Sequence, residues 1–207
     1  EVIKKSIDDT FIVEFENIDF SVWKKSISIQ SLSVSTNQNQ TKLKSTLSAT
    51  IEEIEISGVH IKKLLFDKEI ETSKVLISNP RVEITSNEIK ERTVNNSKTL
   101  NEFWRDFFHS IEMDILELQN GYIHSKNSIN SDLRFTCENI NFQVNGVSID
   151  SLKFTNPLPF EYDYFQINVG ALYSNLGEMY SISLDSFASN NSTLLMDRLE
   201  IKPLMNK

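Results

Sequence analysis

The residue types that carry chemistry are present in this chain but do not converge. His60, His109 and His124 lie far apart, and none has a second His, a Cys or a carboxylate at ligand spacing. His60 alternates out of phase with Val59 and Ile61, which predicts a ring facing solvent. Cys137 is the single cysteine, so no intrachain disulfide forms. It occupies an apolar position of a strand pattern and reads as a small buried hydrophobe rather than a reactive thiol. Acid pairs occur at Asp8-Asp9 and Glu52-Glu53. Glycoside hydrolysis needs two converging carboxylates with displaced pKa values. Glu52, Glu53 and Glu55 instead surround Ile54 and Ile56 and read as the wet side of a strand. There is no G-x-S-x-G elbow and no S-x-x-K motif. Ser26, Ser28, Ser31 and Ser33 sit between apolar residues, as on the solvated face of a sheet. The expectation is a non-enzyme with no catalytic residues, no metal and no cofactor.

The elements around these residues share one recurring spacing, apolar-x-apolar-x-x-apolar-x-apolar. It appears as Val13, Phe15, Ile18, Phe20; as Ile27, Ile29, Leu32, Val34; and as Ile54, Ile56, Val59, Ile61. Later copies are Phe135, Cys137, Ile140, Phe142; Val147, Ile149, Leu152, Phe154; and Leu194, Met196, Leu199, Ile201. A period of two is the strand period. The extra residue in the middle shifts the phase by one, and a β-bulge does that while keeping the apolar side chains on one face. The fold class expected is mainly β: a long bent antiparallel sheet with bulged strands, groove-like or sandwich-like, with one or two short helices.

Composition narrows the partners. The chain has 207 residues and a net charge of −8, with a pI near 5.0. Nucleic-acid phosphates call for basic patches, so nucleic acid is excluded. Lys4-Lys5, Lys24-Lys25 and Lys62-Lys63 read as isolated pairs at element ends, without attraction to anionic headgroups. Thirteen Phe against two Trp suits dry interiors better than wet recognition surfaces, because Phe carries no polar atom. Five Gly and four Pro leave no material for a phosphate loop or a flexible linker. No apolar run approaches the length of about 18–20 residues that spans a bilayer. The chain opens at Glu1 rather than Met, so an upstream segment is expected to supply a membrane anchor or export signal.

Along the chain, Gly58 falls at a phase shift, and about two helical turns are expected over residues 61–68. Asn79-Pro80 predicts an edge or a kink. Residues 86–98 are polar and without period. From Ser97 to Ser110, Leu100, Phe103, Trp104, Phe107 and Phe108 make one aromatic stripe at helical spacing, a helix closing one end of the β unit. Asn120-Gly121 predicts a turn, with Tyr122 and Ile123 starting the return strand. Tyr162 to Asn168 is ambiguous between strand and helix. Tyr180 to Phe187 and Leu194 to Ile201 predict a closing hairpin. The shared pattern favours one extended unit over residues 1–207, with a possible division into 1–86 and 99–207 around the polar segment.

Residues 47–84, with Leu64-Leu65 after the strand ending at Ile61 and Pro80 before the last apolar strand, resemble the amino-terminal region of AsmA-like (AsmA/TamB-type) cell-envelope proteins. Ile115 to Ile123, with Asn120-Gly121 inside it, resembles that family's strand, Asn-Gly, strand unit, and Tyr180 to Pro203 resembles a later repeat. The resemblance implies a periplasm-facing protein anchored to the inner membrane, whose bent sheet forms a groove for lipid acyl chains. The chain departs from it in lacking the amino-terminal membrane helix. Candidates for lining a groove are Phe15, Phe20, Ile29, Ile56, Phe103, Trp104, Phe107, Phe142 and Leu152. The expected partners are lipid acyl chains or envelope proteins. The other reading is a structural or adhesive β-sandwich that binds protein partners and no lipid.

Overall fold

The alternating pattern becomes strand almost everywhere it occurs. A computed structural model describes residues 3–7, 11–37, 45–86, 110–127, 133–150, 160–177 and 179–204. Of these, 78% are strand and 5% helical. The strands are β1 (Ile3–Ile7), β2 (Phe11–Phe15), β3 (Asn17–Ser21), β4 (Ser26–Thr36), β5 (Ser45–Ser57), β6 (Glu69–Ser78), β7 (Arg81–Ser86), β8 (Ser110–Asn127) and β9 (Leu133–Asp150). They continue as β10 (Tyr164–Val169), β11 (Ala171–Leu176), β12 (Tyr180–Leu184), β13 (Ser186–Asn190), β14 (Leu194–Asp197) and β15 (Glu200–Pro203). All fifteen belong to one sheet. Several labelled neighbours are halves of one bent strand: β2 and β3 both pair with β4, β6 and β7 both with β8, and β10 and β11 both with β9.

Taken as whole bent strands, each lies beside the next in the chain, as in a meander. Nearly all pairings are antiparallel, as expected. The exception is at the middle, where β6 and β7 run parallel to β8, with Ile70 opposite Ile111 and Val82 opposite Ile123. A parallel pair cannot be joined by a tight turn and needs a long crossover. Residues 87–109 make that connection. The helix expected over Ser97 to Ser110 falls mainly there, outside the described residues; Ser110 itself begins β8.

One further expectation changes. Asn120-Gly121 does not reverse the chain: β8 passes straight through both residues. Asn120 takes φ 54 inside the strand, a conformation Asn tolerates better than most residues. The dipeptide that makes a hairpin turn elsewhere here makes a bulge, because β9 continues to pair on both sides of it. Within the ambiguous segment Tyr162 to Asn168, the strand β10 begins at Tyr164. The helix expected over 61–68 is present: α-helical at Ile61 and Lys62, π-helical over Lys63–Asp67, and ending at Lys68 with φ 54.

Among the described residues no second layer faces the sheet. Apart from the helical turn on β6, the substantial contacts join strands that are neighbours within the sheet. Burial is therefore lateral. Val59, Cys137, Val144, Val147, Val169 and Leu184 are buried, and most other apolar side chains on central strands are only half-buried.

Candidate functional site

Cross-strand register sorts the side chains into rows, because directly paired residues point to the same face. One row runs Ile18, Ile29, Ile54, Ile77, Leu118, Phe142 and Ile167 across seven strands. The next row on the same face runs Phe20, Ile27, Ile56, Val75, Leu116, Val144 and Phe165. A third, further along the strands, runs Val13, Val34, Ala49, Val82, Ile123, Cys137, Leu172 and Leu184. At about 4.8 Å between strands, a seven-strand row is about 29 Å long. The intervening rows are polar: Ser28, Glu55, Leu76, Glu117, Gln143, Gln166 and Asn190 oppose one another in turn, with Leu76 the one apolar member.

Two seams cross the sheet where the phase shifts line up. The first passes through Ser31, Glu52, Asn79, Asn120, Asn139 and Gly170. Ser31, Asn79, Asn120 and Asn139 all take positive φ, from 51 to 54. One left-handed residue uses up a position without alternation, so apolar side chains before and after it stay on one face. Side chains tie this seam together. The Asn79 amide donates to Glu52 Oε2 at 2.5 Å, and the Asn120 amide donates to Asn79 Oδ1 at 2.6 Å. The Asn120 N–H donates to Asn141 Oδ1 at 3.0 Å.

The second seam passes through Lys25, Gly58, Ser73, Asp114, Gly146 and Asp163. Lys25, Gly58 and Gly146 have φ of 50, 72 and 65. Gly58 and Gly146 are required twice over. Their φ disfavours a Cβ, and a Cβ there would overlap the side chains of Ser73 and Asp163 respectively. Six residues separate the seams on β4, β5, β6 and β8 (Lys25 to Ser31, Glu52 to Gly58, Ser73 to Asn79, Asp114 to Asn120). The two seven-strand apolar rows lie in the band between them, about 20 Å wide.

The groove candidates divide as follows. Ile29, Ile56, Phe142 and Phe20 fall within the two rows of this band. Ile29, Ile56 and Phe142 are half-buried, whereas Phe20, expected to face inward, is 53% exposed. Among the described residues its strand, β3, pairs only with β4, which leaves one flank without a described neighbour. Phe15 is half-buried at the end of β2 and borders the band. Phe103, Trp104, Phe107 and Leu152 lie outside the described residues.

The polar face carries two shallow cavities against the first seam. One of about 450 Å³ is bordered by Ser31, Ser33, Thr50, Glu52, Asn79 and Arg81, with Leu32 and Ile51. The other, about 330 Å³, is lined mostly by amides, among them Gln119, Asn120, Asn141, Gln143, Gln166 and Asn168. Electrostatics on this face are local. Lys74 Nζ lies 2.6 Å from Glu117 Oε2, and this bond, with a second from the Gln119 amide, holds the Glu117 carboxyl below its usual range. Burial, and secondarily the Glu138 carboxylate, pushes the Cys137 thiol up, so it holds less thiolate than a free cysteine. His60 is exposed, with Nδ1 3.3 Å from Glu71, and His124 stacks near Tyr122. Among the described residues no three His, Cys, Asp or Glu side chains gather as a metal site, and no helix is long and apolar enough to cross a membrane.

No protein-family model matches the chain, and no curated protein is similar to it.

Sequence reasoning found the apolar face strand by strand but missed the seams. The signal was present: Asn79, Asn120 and Asn139 each sit at a phase shift, where a residue tolerant of positive φ is needed. Reasoning from the chain also kept Lys24-Lys25 apart from Lys62-Lys63. The structure brings both pairs to one end of the sheet, where the Val59 N–H donates to the Lys25 carbonyl at 2.9 Å.

Proposed function

We propose that the apolar face binds lipid acyl chains in the cell envelope, without catalysis. The observation that carries this reading is the pair of seven-residue apolar rows with no second layer over them among the described residues. Such a face must be covered by something apolar, and a ligand covers it as well as a helix or sheet does. Acyl tails laid along the rows would shed water at about 0.8 kcal/mol per buried methylene. The face needs no reactive group for this work. The resemblance to AsmA/TamB-type proteins adds the expected setting: facing the periplasm, with inner-membrane anchorage through a segment outside this sequence. Titration with an environment-sensitive fluorescent fatty acid tests the reading. Saturable uptake, weakened by Leu118→Asp, is expected. Absence of uptake by the folded chain overturns it.

A second reading is a structural or adhesive module that binds envelope proteins and no lipid. The exposed apolar strands at the C-terminal edge, β14 and β15, favour it. Native mass spectrometry of the purified chain separates the two, since co-purifying lipid supports the first and a lipid-free complex with a protein partner supports the second.

A further inference from the structure

At the end of the sheet where β3 turns into β4 and β5 leads to β6, two loops meet. The first, Val22 to Lys25, carries Trp23, which is 97% exposed. The second holds the helical turn Lys63–Asp67, on which Phe66 is 81% exposed and Leu65 is also exposed. They are held side by side. The Val59 N–H donates to the Lys25 carbonyl, the His60 N–H donates to the Glu71 carbonyl at 2.9 Å, and the Leu64 N–H donates to the His60 carbonyl at 3.1 Å. Lys24, Lys25, Lys62 and Lys68 stand exposed around the apolar tips. Lys63 pairs with Glu71 and keeps its charge, and the other acids near this end are Asp67, Glu69 and Glu112, the last opposite Glu71. Five lysines against four carboxylates leave this end slightly positive on a chain whose net charge is −8.

We infer that this end is a membrane-contact tip that inserts Trp23, Leu65 and Phe66 into the interface of an anionic bilayer. The composition selects the occupant. Lysine is depleted from the centres of protein–protein interfaces, whereas an exposed Trp flanked by lysines is the composition of the bilayer interface. The indole and phenyl rings shed water at the headgroup boundary, and the ammonium groups meet lipid phosphates from the side. The inference is independent of acyl binding on the sheet face, since it concerns other residues and another part of a lipid.

The test uses the whole chain in a Trp104→Phe background, so that Trp23 is the only indole. Vesicles of phosphatidylglycerol mixed with phosphatidylcholine should shift its emission to the blue and co-sediment the protein, and phosphatidylcholine alone should do so much less. Added salt should weaken binding. Co-sedimentation by Phe66→Ser and by Trp23→Ser should be at least about tenfold weaker. Lys24→Glu with Lys62→Glu should lose the preference for anionic vesicles. Leu199→Ser, an exposed apolar position between β14 and β15, should bind like the parent. Circular dichroism checks that each variant is folded, as expected for exposed positions. An unchanged Trp23 emission with anionic vesicles overturns the inference. So does equal loss in Leu199→Ser, which would mean indiscriminate apolar sticking. A concentration-dependent dimer abolished by Trp23→Ser would also overturn it, since the tip would then serve a second copy of the chain.

Discussion

The pair β8–β9 in the middle of the sheet and the pair β14–β15 at its C-terminal edge carry the same apolar spacing with opposite outcomes. Val144 on β9 is 3% exposed, while Leu194 on β14 is 57% exposed and Leu199, just before β15, is 53% exposed. The side chains are of similar size and kind. What differs is the number of strands beside them. In a single-layer sheet a side chain is covered only by its neighbours in the same rows. Val144 has Leu116 on one side and Phe165 on the other. Leu194 has Ser189 on one side and, among the described residues, no strand on the other. Stability in this molecule therefore concentrates where rows are long, and available surface concentrates where they end. On the C-terminal edge, β14 and β15 present Leu194, Met196 and Ile201 exposed.

The strongest way to break this comparison is to put a charge into each place. Val144→Asp buries an unpaired carboxylate and should cost more than about 4 kcal/mol, leaving the chain largely unfolded. Met196→Asp should cost less than about 0.5 kcal/mol, as surface substitutions do. Urea midpoints measure both, and similar losses would mean that the edge strand is covered.

Glycine positions sharpen it next. Gly146→Ala meets both a φ of 65 and the Asp163 side chain, and should destabilise by about 2–3 kcal/mol. Gly177 has φ 70 but open space around its Cα, so Gly177→Ala should cost about 1 kcal/mol from backbone strain alone. Equal costs would show that the Asp163 contact yields freely.

Truncation of apolar side chains gives a smaller contrast. Phe142→Ala would cost about 3–5 kcal/mol in a fully packed core, but its half-buried site lowers the expectation to about 2 kcal/mol. Leu199→Ala should cost about 0.5 kcal/mol or less. Thermal midpoints of the pair report the difference.

The smallest effect is electrostatic. The Lys74 ammonium lowers the Glu117 pKa in the folded state, so the stabilisation is fully present above the unfolded value of about 4.3 and fades as pH falls through the lower folded value. The pair is partly exposed, so Glu117→Gln should cost at most about 1 kcal/mol at neutral pH. The gap between variant and parent should narrow as pH falls below about 4.3 and close below the lower folded value; a gap that persists there would assign the loss to the Gln119 hydrogen bond or to packing.

The sequence by itself determined that this is a sheet of bent strands with one apolar face. Alternation is a local property: each strand states its own inward side, and each apolar-x-x-apolar step states where that side must shift. Ile27, Ile29, Leu32 and Val34 carry this without reference to any other strand. Cys137 was legible as buried for the same reason. Only the tertiary structure decided which strands are neighbours, because pairing is a contact between distant residues and both orientations satisfy the same alternation. Hence the parallel join of β6 and β7 to β8, and the passage of β8 through Asn120-Gly121 where the dipeptide alone signals a turn. The alignment of single shifts into two seams is also nonlocal. A strand that shifts phase can keep its apolar row continuous only beside neighbours that shift at the same level, so the position of each bulge is set by the strand next to it. The approach of the Val22–Lys25 loop to the segment that leads into the Phe66 turn, some forty residues on in the chain, follows from that same register.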